Sequence, residues 1–174
     1  MDKSRRYHTH HTVRNQIIAG FVVLLTLFSS ALHSAPLQEA DNFEELAEIM
    51  REKKIPLLLA FEATHCNFCT RLKAEHLQPM NNNEGYTRRL LIRTIQIDGV
   101  EKITGFNGEK ISRSALSKKY KAFLTPTLLF LNHKGEEVAK RMLGYNSPDY
   151  FGLYLDQAID AAEKEVSGNG GTEK

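Results

Sequence analysis

The chain reads Phe61-Glu62-Ala63-Thr64-His65-Cys66-Asn67-Phe68-Cys69-Thr70 directly after an apolar run that begins at Ile55. Cys66 and Cys69 are the only cysteines among the 174 residues. Continuous apolar runs of this kind are typical of buried central strands in α/β sheets. The stretch therefore predicts a strand followed by a helix that begins at the cysteine pair. A Cys-x-x-Cys pair in that position is used for thiol–disulfide exchange.

The spacing of the two cysteines gives each sulfur a separate task. The helix N-terminus carries partial positive charge, which favours the thiolate form of Cys66. Cys69 lies one turn further on, where it can attack a mixed disulfide formed by the first sulfur. A disulfide between them closes almost no loop, so as a structural cross-link it contributes little. A redox role is the stronger interpretation.

The other segments predict helices and strands through periodicity and turn residues. Asp41 is expected to cap a first helix, with Glu44 three residues later. Pro79 and Asn81-Asn82-Asn83 are expected to break the Cys-x-x-Cys helix. Residues 99–108 are expected to form a loop. The predicted order is helix, strand, Cys-x-x-Cys helix, strand, helix, strand, strand, helix. The later elements are the strands Leu91–Asp98 and Phe123–Leu131, an antiparallel return over Glu136–Met142, a helix from Ser112 to Lys121, and a last helix started by Ser147-Pro148-Asp149.

Apolar spacing also predicts which helical side chains face the core. The candidate core residues are Phe43, Leu46, Ala47, Met50, Leu72, Leu77, Ala115, Leu116, Tyr120, Leu155, Ala158, Ile159 and Ala162. His76 and His133 are interpreted as ordinary surface residues rather than ligands.

Residues 1–35 are typical of an export signal. A basic segment precedes the apolar stretch Ile17–Phe28, and small residues follow over Ser29–Ala35. Cleavage is expected within residues 31–35, with the position after Ala31 favoured by Ser29. The mature protein is therefore expected in the periplasm, with an uncleaved membrane anchor as the alternative. The domain is expected over residues 36–166, and residues 167–174 as a flexible, glycine-rich tail.

The charge balance argues against a nucleic-acid partner. The whole chain has 23 basic and 21 acidic residues, and removal of the leader leaves a nearly neutral protein. Nucleic-acid surfaces are instead strongly basic.

The chain resembles the thioredoxin superfamily over residues 41–165. The resemblance lies in the order of elements and in two motifs, Cys66-Asn67-Phe68-Cys69 and Thr125-Pro126-Thr127. Phe61-Glu62, the aromatic Phe68 and the Lys134-Gly135 turn are most similar to exported thioredoxin-like proteins of the SoxW type. The resemblance implies an α/β fold, thioredoxin-like, with a central mixed β-sheet and helices on both faces.

The resemblance also implies the roles of the site residues. Cys66 would be the nucleophile and Cys69 the resolving thiol. Pro126 would be cis and would place the Thr125 backbone beside the sulfurs, where an extended substrate pairs with it. Gly144 would help to wall the groove that receives this substrate. Phe68 is expected to cover the sulfurs as an apolar contact for substrates, with simple packing as the alternative. No cofactor and no metal ion is implied.

Two positions depart from the superfamily pattern. Ala60 stands where thioredoxins carry a buried aspartate, and Thr94 stands where a lysine often pairs with it. Glu62 is the nearest acid and is either a substitute proton acceptor or a solvated carboxylate at a strand end. His65 either favours the Cys66 thiolate or is an exposed loop residue. An insertion over Thr104–Lys110 is expected to affect partner choice.

These observations predict a periplasmic thiol–disulfide oxidoreductase that reduces protein disulfides. Its partners would be protein thiol and disulfide substrates and a membrane electron donor of the DsbD or CcdA type. Three alternatives stay open: a disulfide oxidase or isomerase, a copper- or zinc-binding module with two cysteine ligands, and a redox-silent binding domain that uses the groove beside Pro126.

Overall fold

The computed structural model describes residues 36–146 and 148–168, and these build one four-stranded sheet, a separate hairpin and flanking helices. The strands are β1 (Leu57–Glu62), β2 (Leu91–Gln96), β3 (Lys102–Thr104), β4 (Lys110–Ser112), β5 (Thr127–Leu131) and β6 (Met142–Leu143). The helices are α1 (Phe43–Lys53), α2 (Asn67–Leu72), α3 (Gln78–Asn81), α4 (Glu84–Thr87), α5 (Arg113–Lys119) and α6 (Pro148–Gly168), with a π-helical turn over Lys73–Leu77 between α2 and α3.

The strand order β2-β1-β5-β6 brings four chain segments to one end of the sheet. Strand β1 is parallel to β2 and antiparallel to β5, with Phe61 opposite Thr127. Strand β6 is antiparallel to β5, with Leu143 opposite Thr127. The segments after β1, β2 and β6 and the segment before β5 therefore meet at one end, which we call the disulfide end because Cys66 follows β1 there.

The core lies on both faces of the sheet. Leu57, Leu59 and Phe61 of β1 pack with residues of α1 and α5 on one face. Leu58 and Ala60, which point to the opposite face, pack with residues of α2 and α6. This two-layer burial follows from the alternation of side chains along a strand. It explains why β1 has no polar alternation, and it confirms the predicted α/β class with a mixed sheet.

Helix α1 is capped by Asn42 rather than by Asp41. Asn42 has an extended backbone, and its side-chain oxygen accepts a hydrogen bond from the Glu45 N–H at 3.3 Å. The backbone carbonyl of Asp41 accepts from the Thr104 N–H at 2.8 Å, which holds residue 41 beside β3 instead. The predicted buried face of α1 is confirmed.

Pro79 does not break the helix that follows the cysteines. It lies in the first turn of α3, where a missing N–H is tolerated. The helical path ends at Asn82, within the asparagine run that was predicted to break it, and Asn83 then caps α4 through a bond from the Gly85 N–H at 2.7 Å. Leu72 and Leu77 are buried, as predicted.

The segment expected as a loop over residues 99–108 contains half of the β3–β4 hairpin, which pairs Lys102 with Ser112. At its tip, Phe106 packs on Phe43 with ring centroids 5.0 Å apart. It also lies close to Gly135 in the turn after β5, at the end of the sheet opposite the disulfide. The tip of the insertion is thus part of the core packing and is remote from the disulfide.

The chain before β5 differs from its prediction. The strand begins only at Thr127, and both Phe123 and Leu124 are exposed rather than buried. Ser112 caps α5 as predicted, but the helix ends at Lys119, and Lys121 takes a left-handed backbone. Ala115 is exposed, and Ser117 is buried instead. The return over Glu136–Met142 is regular only at Met142 and Leu143.

Several predictions concern the two ends of the chain and residue Ser147. Helix α6 continues through Gly168, two residues into the segment expected as a tail. The leader over residues 1–35, the Ser147 cap and residues 169–174 lie outside the described residues. Among the helices that the structure describes, none combines the length and apolar character that a membrane crossing requires.

Candidate active site

Cys66 and Cys69 form a disulfide at the start of α2. Cys66 is the N-cap: its backbone is extended and its Sγ accepts a hydrogen bond from the Cys69 N–H at 3.2 Å. The first N–H groups of a helix have no partner within the helix, so the sulfur occupies a position that favours negative charge.

The two sulfurs differ in accessibility. Cys66 is half-buried, whereas Cys69 is only 3% exposed and packs on the inner side of α2. An external reagent therefore reaches Cys66 first. This geometry brings together the two residues predicted as nucleophile and resolving thiol.

Thr125, Pro126 and Gly144 lie at the disulfide end, as the strand register requires. The Thr125–Pro126 peptide bond is cis. Gly144 has a positive φ of 72°, which glycine adopts readily, and its N–H donates to the Pro126 carbonyl at 2.7 Å. That bond holds the segment after β6 against the segment before β5.

Large apolar side chains are exposed at the disulfide end. Phe68 is 53% exposed, Phe123 69%, Leu124 54% and Leu143 56%. We call these four residues the apolar rim. Sequence reasoning found only Phe68, because Phe123 and Leu124 were assigned to a buried strand. Their position just before the Thr125–Pro126 pair is the signal that identifies them.

Glu62 is not a solvated carboxylate. Its side chain is 13% exposed, and its Oε2 lies 2.9 Å from the Lys73 Nζ. Lys73 follows Cys69 by four residues, and its N–H donates to the Cys69 carbonyl. Residues four apart lie on the same side of a helix, so the ion pair lies on the Cys69 side of α2. Sequence reasoning missed Lys73, which contacts Glu62 only through the tertiary fold.

The segment before Cys66 is held by the end of β2. The Thr64 N–H donates to both carboxylate oxygens of Asp98, at 3.0 and 3.2 Å. His65 is exposed and has a left-handed φ of 61°. Desolvation alone would raise the pKa of Asp98, but the hydrogen bonds from Thr64 and the nearby His65 hold it below its ordinary value.

His76 is half-buried rather than fully exposed. Its ring packs against Tyr145 and Phe151, with centroids 5.6 and 5.1 Å away, and its Nε2 lies 3.2 Å from the Tyr145 hydroxyl. Burial lowers the pKa of His76, although Glu75 and Asp156 act in the opposite direction. Burial and a hydrogen bond to Glu75 raise the pKa of Tyr145 to about 12. Because Tyr145 follows Gly144, this cluster connects the groove to the π turn.

Within residues 36–146 and 148–168, no three or more His, Cys, Asp or Glu side chains form a group that could hold a metal ion.

Comparison with solved structures finds thioredoxins. A thioredoxin from Malassezia sympodialis is 14% identical, with 73% of this chain and 96% of that chain covered and a TM-score of 0.50. The Fasciola hepatica thioredoxin is 17% identical over 71% and 97%, with a TM-score of 0.49. The periplasmic thioredoxin SoxS of Paracoccus pantotrophus is 20% identical over 62% and 98%, with a TM-score of 0.43. A search of curated protein sequences finds no match.

A family model described as a thioredoxin-like domain matches residues 43–159, which is more than half of the chain. This span contains the sheet, the disulfide and the Thr125–Pro126 bond. The Cys-x-x-Cys pair supplies the redox centre of a thiol–disulfide oxidoreductase. The chain therefore belongs to the thioredoxin-like domain family.

Proposed function

We propose that this oxidoreductase reduces disulfides of other proteins in the periplasm. The observation that carries the proposal is the unequal exposure of the two sulfurs, with Cys66 half-buried at the start of α2 and Cys69 buried behind it. A reductase needs one sulfur that meets the substrate and a second that is sheltered until the mixed disulfide forms.

The reduced pair transfers two electrons in two steps. The Cys66 thiolate attacks a substrate disulfide: a bond from Cys66 to one substrate sulfur forms, the substrate S–S bond breaks, and the other substrate sulfur leaves and takes a proton. Cys69 then loses its proton and attacks Cys66. The Cys66–Cys69 disulfide forms, the mixed disulfide breaks, and the second substrate thiol is released.

The proton of Cys69 requires an acceptor, and Glu62 is the residue that the geometry favours. Its carboxylate is largely buried and is paired with Lys73 on the Cys69 side of α2. The ion pair with Lys73 fixes the position of this carboxylate at the end of β1. The pair thus serves in place of the aspartate that Ala60 replaces.

The apolar rim supports an extended polypeptide as substrate. It surrounds the cis peptide bond at Thr125 and the Gly144 segment, which are the positions where the superfamily resemblance places a paired substrate strand. Exposed apolar patches with polar surroundings mark interaction sites, and backbone pairing accepts many sequences.

The periplasmic location rests on the basic, apolar and small-residue segments of residues 1–35. Re-reduction would come from a membrane dithiol donor of the DsbD or CcdA type, and the finer resemblance to SoxW-type proteins rests on Phe61-Glu62, Phe68 and Lys134-Gly135. N-terminal sequencing of the exported protein tests the location: a start at residues 32–36 supports it, and a full-length protein in the membrane fraction contradicts it.

Reduction of insulin by the purified protein with a dithiol donor tests the activity. The wild type should turn over, and Cys66→Ser should not. Cys69→Ser should retain the first step and accumulate mixed disulfides with substrates, which mass spectrometry of the trapped adducts would identify. Bound copper or zinc with no turnover would instead favour a metal-binding module, and preferential oxidation of reduced substrates would favour an oxidase.

A further inference from the structure

We propose that Asp98 is a positioning residue that holds the Thr64–His65 segment and thereby places the Cys66 sulfur at the start of α2. The effect of this positioning on disulfide reduction rests on the proposed function. The positioning itself is argued from contacts at the disulfide end.

Two loops leave neighbouring parallel strands at this end. Glu62 is the last residue of β1 and lies opposite Gln96, the last residue of β2. The Ile97 N–H donates to the Glu62 carbonyl at 2.8 Å, which keeps the two chains together beyond the strands. Thr64 and Asp98 are each two residues further on, so their contact follows from the register.

Thr64 is held through both its backbone and its side chain. Its N–H lies 3.0 and 3.2 Å from the two carboxylate oxygens of Asp98. Its hydroxyl oxygen accepts from the Gln96 side-chain amide at 2.7 Å. Both partners belong to the end of β2.

The residue between this anchor and the nucleophile is in an unfavourable conformation. His65 has φ of 61°, a region that side chains other than glycine rarely adopt. Such a conformation persists when the surrounding structure holds it. Asp98 holds the residue before His65, and the bond from the Cys69 N–H to Sγ holds the residue after it.

Loss of the anchor would therefore allow His65 to relax and Cys66 to leave its position at the helix start. The sulfur would lose the Cys69 N–H and the positive end of the helix, both of which favour the thiolate. The charge of Asp98 by itself acts in the opposite direction, because a carboxylate near Cys66 disfavours a second negative charge. His65 is the titratable residue next to Cys66 in the sequence, and Glu62 and Lys73 form an ion pair on the Cys69 side of α2.

Two substitutions distinguish the anchoring role of Asp98 from the effect of its negative charge. Asp98→Asn keeps an oxygen that can accept from Thr64 and removes the charge, whereas Asp98→Ala removes both. Thiolate formation at Cys66 is followed by ultraviolet absorbance across a pH series in the reduced full-length protein. Asp98→Ala should move thiolate formation to higher pH and slow the attack on a small disulfide by about three- to tenfold. Asp98→Asn should form the thiolate at the wild-type pH or slightly below it. Glu101→Ala, which removes an exposed carboxylate from the same loop, should stay close to wild type.

Two results would overturn the proposal: an unchanged thiolate titration in Asp98→Ala, or equal impairment in both Asp98 variants. Amide hydrogen exchange gives a readout that needs no variant. The Thr64 N–H should exchange slowly in the wild type, and exchange at the rate of a free amide would contradict the anchor. The thiolate titration and the hydrogen exchange use no substrate, so a wild type that fails to reduce insulin would reject the proposed function and leave this inference standing.

Discussion

Cys66 and Cys69 differ in exposure because they occupy different parts of one helical turn. Cys66 precedes the helix in an extended conformation, which directs its sulfur across the first N–H groups. Cys69 lies within the first turn on the same side as the fully buried Leu72. The two-residue spacing therefore leaves the Cys66 sulfur accessible to a substrate and buries the Cys69 sulfur.

Glu62→Gln should slow the resolving step, since a neutral amide cannot accept the Cys69 proton. We expect a decrease of about 10²-fold, the lower end for loss of a general base, in the rate at which Cys69 releases a mixed disulfide formed at Cys66. Rapid-mixing kinetics with a chromogenic disulfide measure this rate, and Glu84→Gln, in an exposed ion pair, is the control.

Lys73→Met should slow the resolving step, because the ion pair with Lys73 holds the Glu62 side chain on the Cys69 side of α2. Lys73→Arg, which can keep the ion pair, should leave the rate close to that of the wild type. The same rapid-mixing experiment measures both variants. Equal rates for the wild type and Lys73→Met would show that the ion pair has no part in the resolving step.

His76 should make stability depend on pH below neutrality. Its pKa in the folded protein is lower than the ordinary 6.5 because it is buried, so the unfolded chain binds protons that the folded protein does not. The free energy of unfolding should be highest above pH 6.5 and should fall as the pH decreases through the folded pKa. Urea unfolding between about pH 7 and 5 measures the free energy of unfolding at each pH. This free energy should change less with pH in His76→Gln than in the wild type, whereas His133→Gln should show the wild-type change.

The cap of α1 shows how a neighbouring element selects between two acceptable residues. Asp41 and Asn42 are both good capping residues, and the bond from the Thr104 N–H to the Asp41 carbonyl holds residue 41 outside the helix. Asn42→Ala should therefore lower the free energy of unfolding by about 1 kcal/mol. Asp41→Ala should change it by less than about 0.5 kcal/mol. Chemical denaturation measures both, and the reverse order of effects would contradict the assignment.

The π turn explains how Leu72 and Leu77 are both buried. In a regular α-helix, five residues turn the side chain by roughly 140° from its starting direction. A π turn has i→i+5 periodicity, and the Gln78 N–H bonds to the Lys73 carbonyl in this way. The apolar residues of the sequence predicted both core contacts. The extra residue in the π turn allows both side chains to point to the same side of the helical path.

Buried and exposed phenylalanines of the domain are expected to differ in their effects: the buried one on stability, the exposed one on substrate binding. Phe130 is fully buried in the centre of the sheet, whereas Phe123 belongs to the exposed apolar rim. Phe130→Ala should lower the free energy of unfolding by about 3–5 kcal/mol. Phe123→Ala should change it by less than about 0.5 kcal/mol and should raise KM for insulin with little effect on a small disulfide. A large loss of stability in Phe123→Ala would contradict its exposure.

Much of the architecture was predictable because the relevant signals are local. Apolar runs identified β1 and β5, and partial alternation identified β2. The spacing of Phe43, Leu46 and Met50 identified the buried face of α1. The cysteine spacing identified the redox pair. The β3–β4 hairpin was missed because its strands have three residues each, and Phe123 was misplaced because an apolar residue beside a strand looks like its continuation.

The sequence alone determined the redox pair, the Thr125–Pro126 pair and the order of the elements around them apart from the β3–β4 hairpin. Each of these depends on residues that are close together along the chain. The surroundings of the sulfurs were decided only by the tertiary structure. Lys73 beside Glu62 and Asp98 beside Thr64 join residues 11 and 34 positions apart. No local pattern encodes these contacts, because the packing of α2 on the sheet and the parallel register of β1 with β2 bring the partners together.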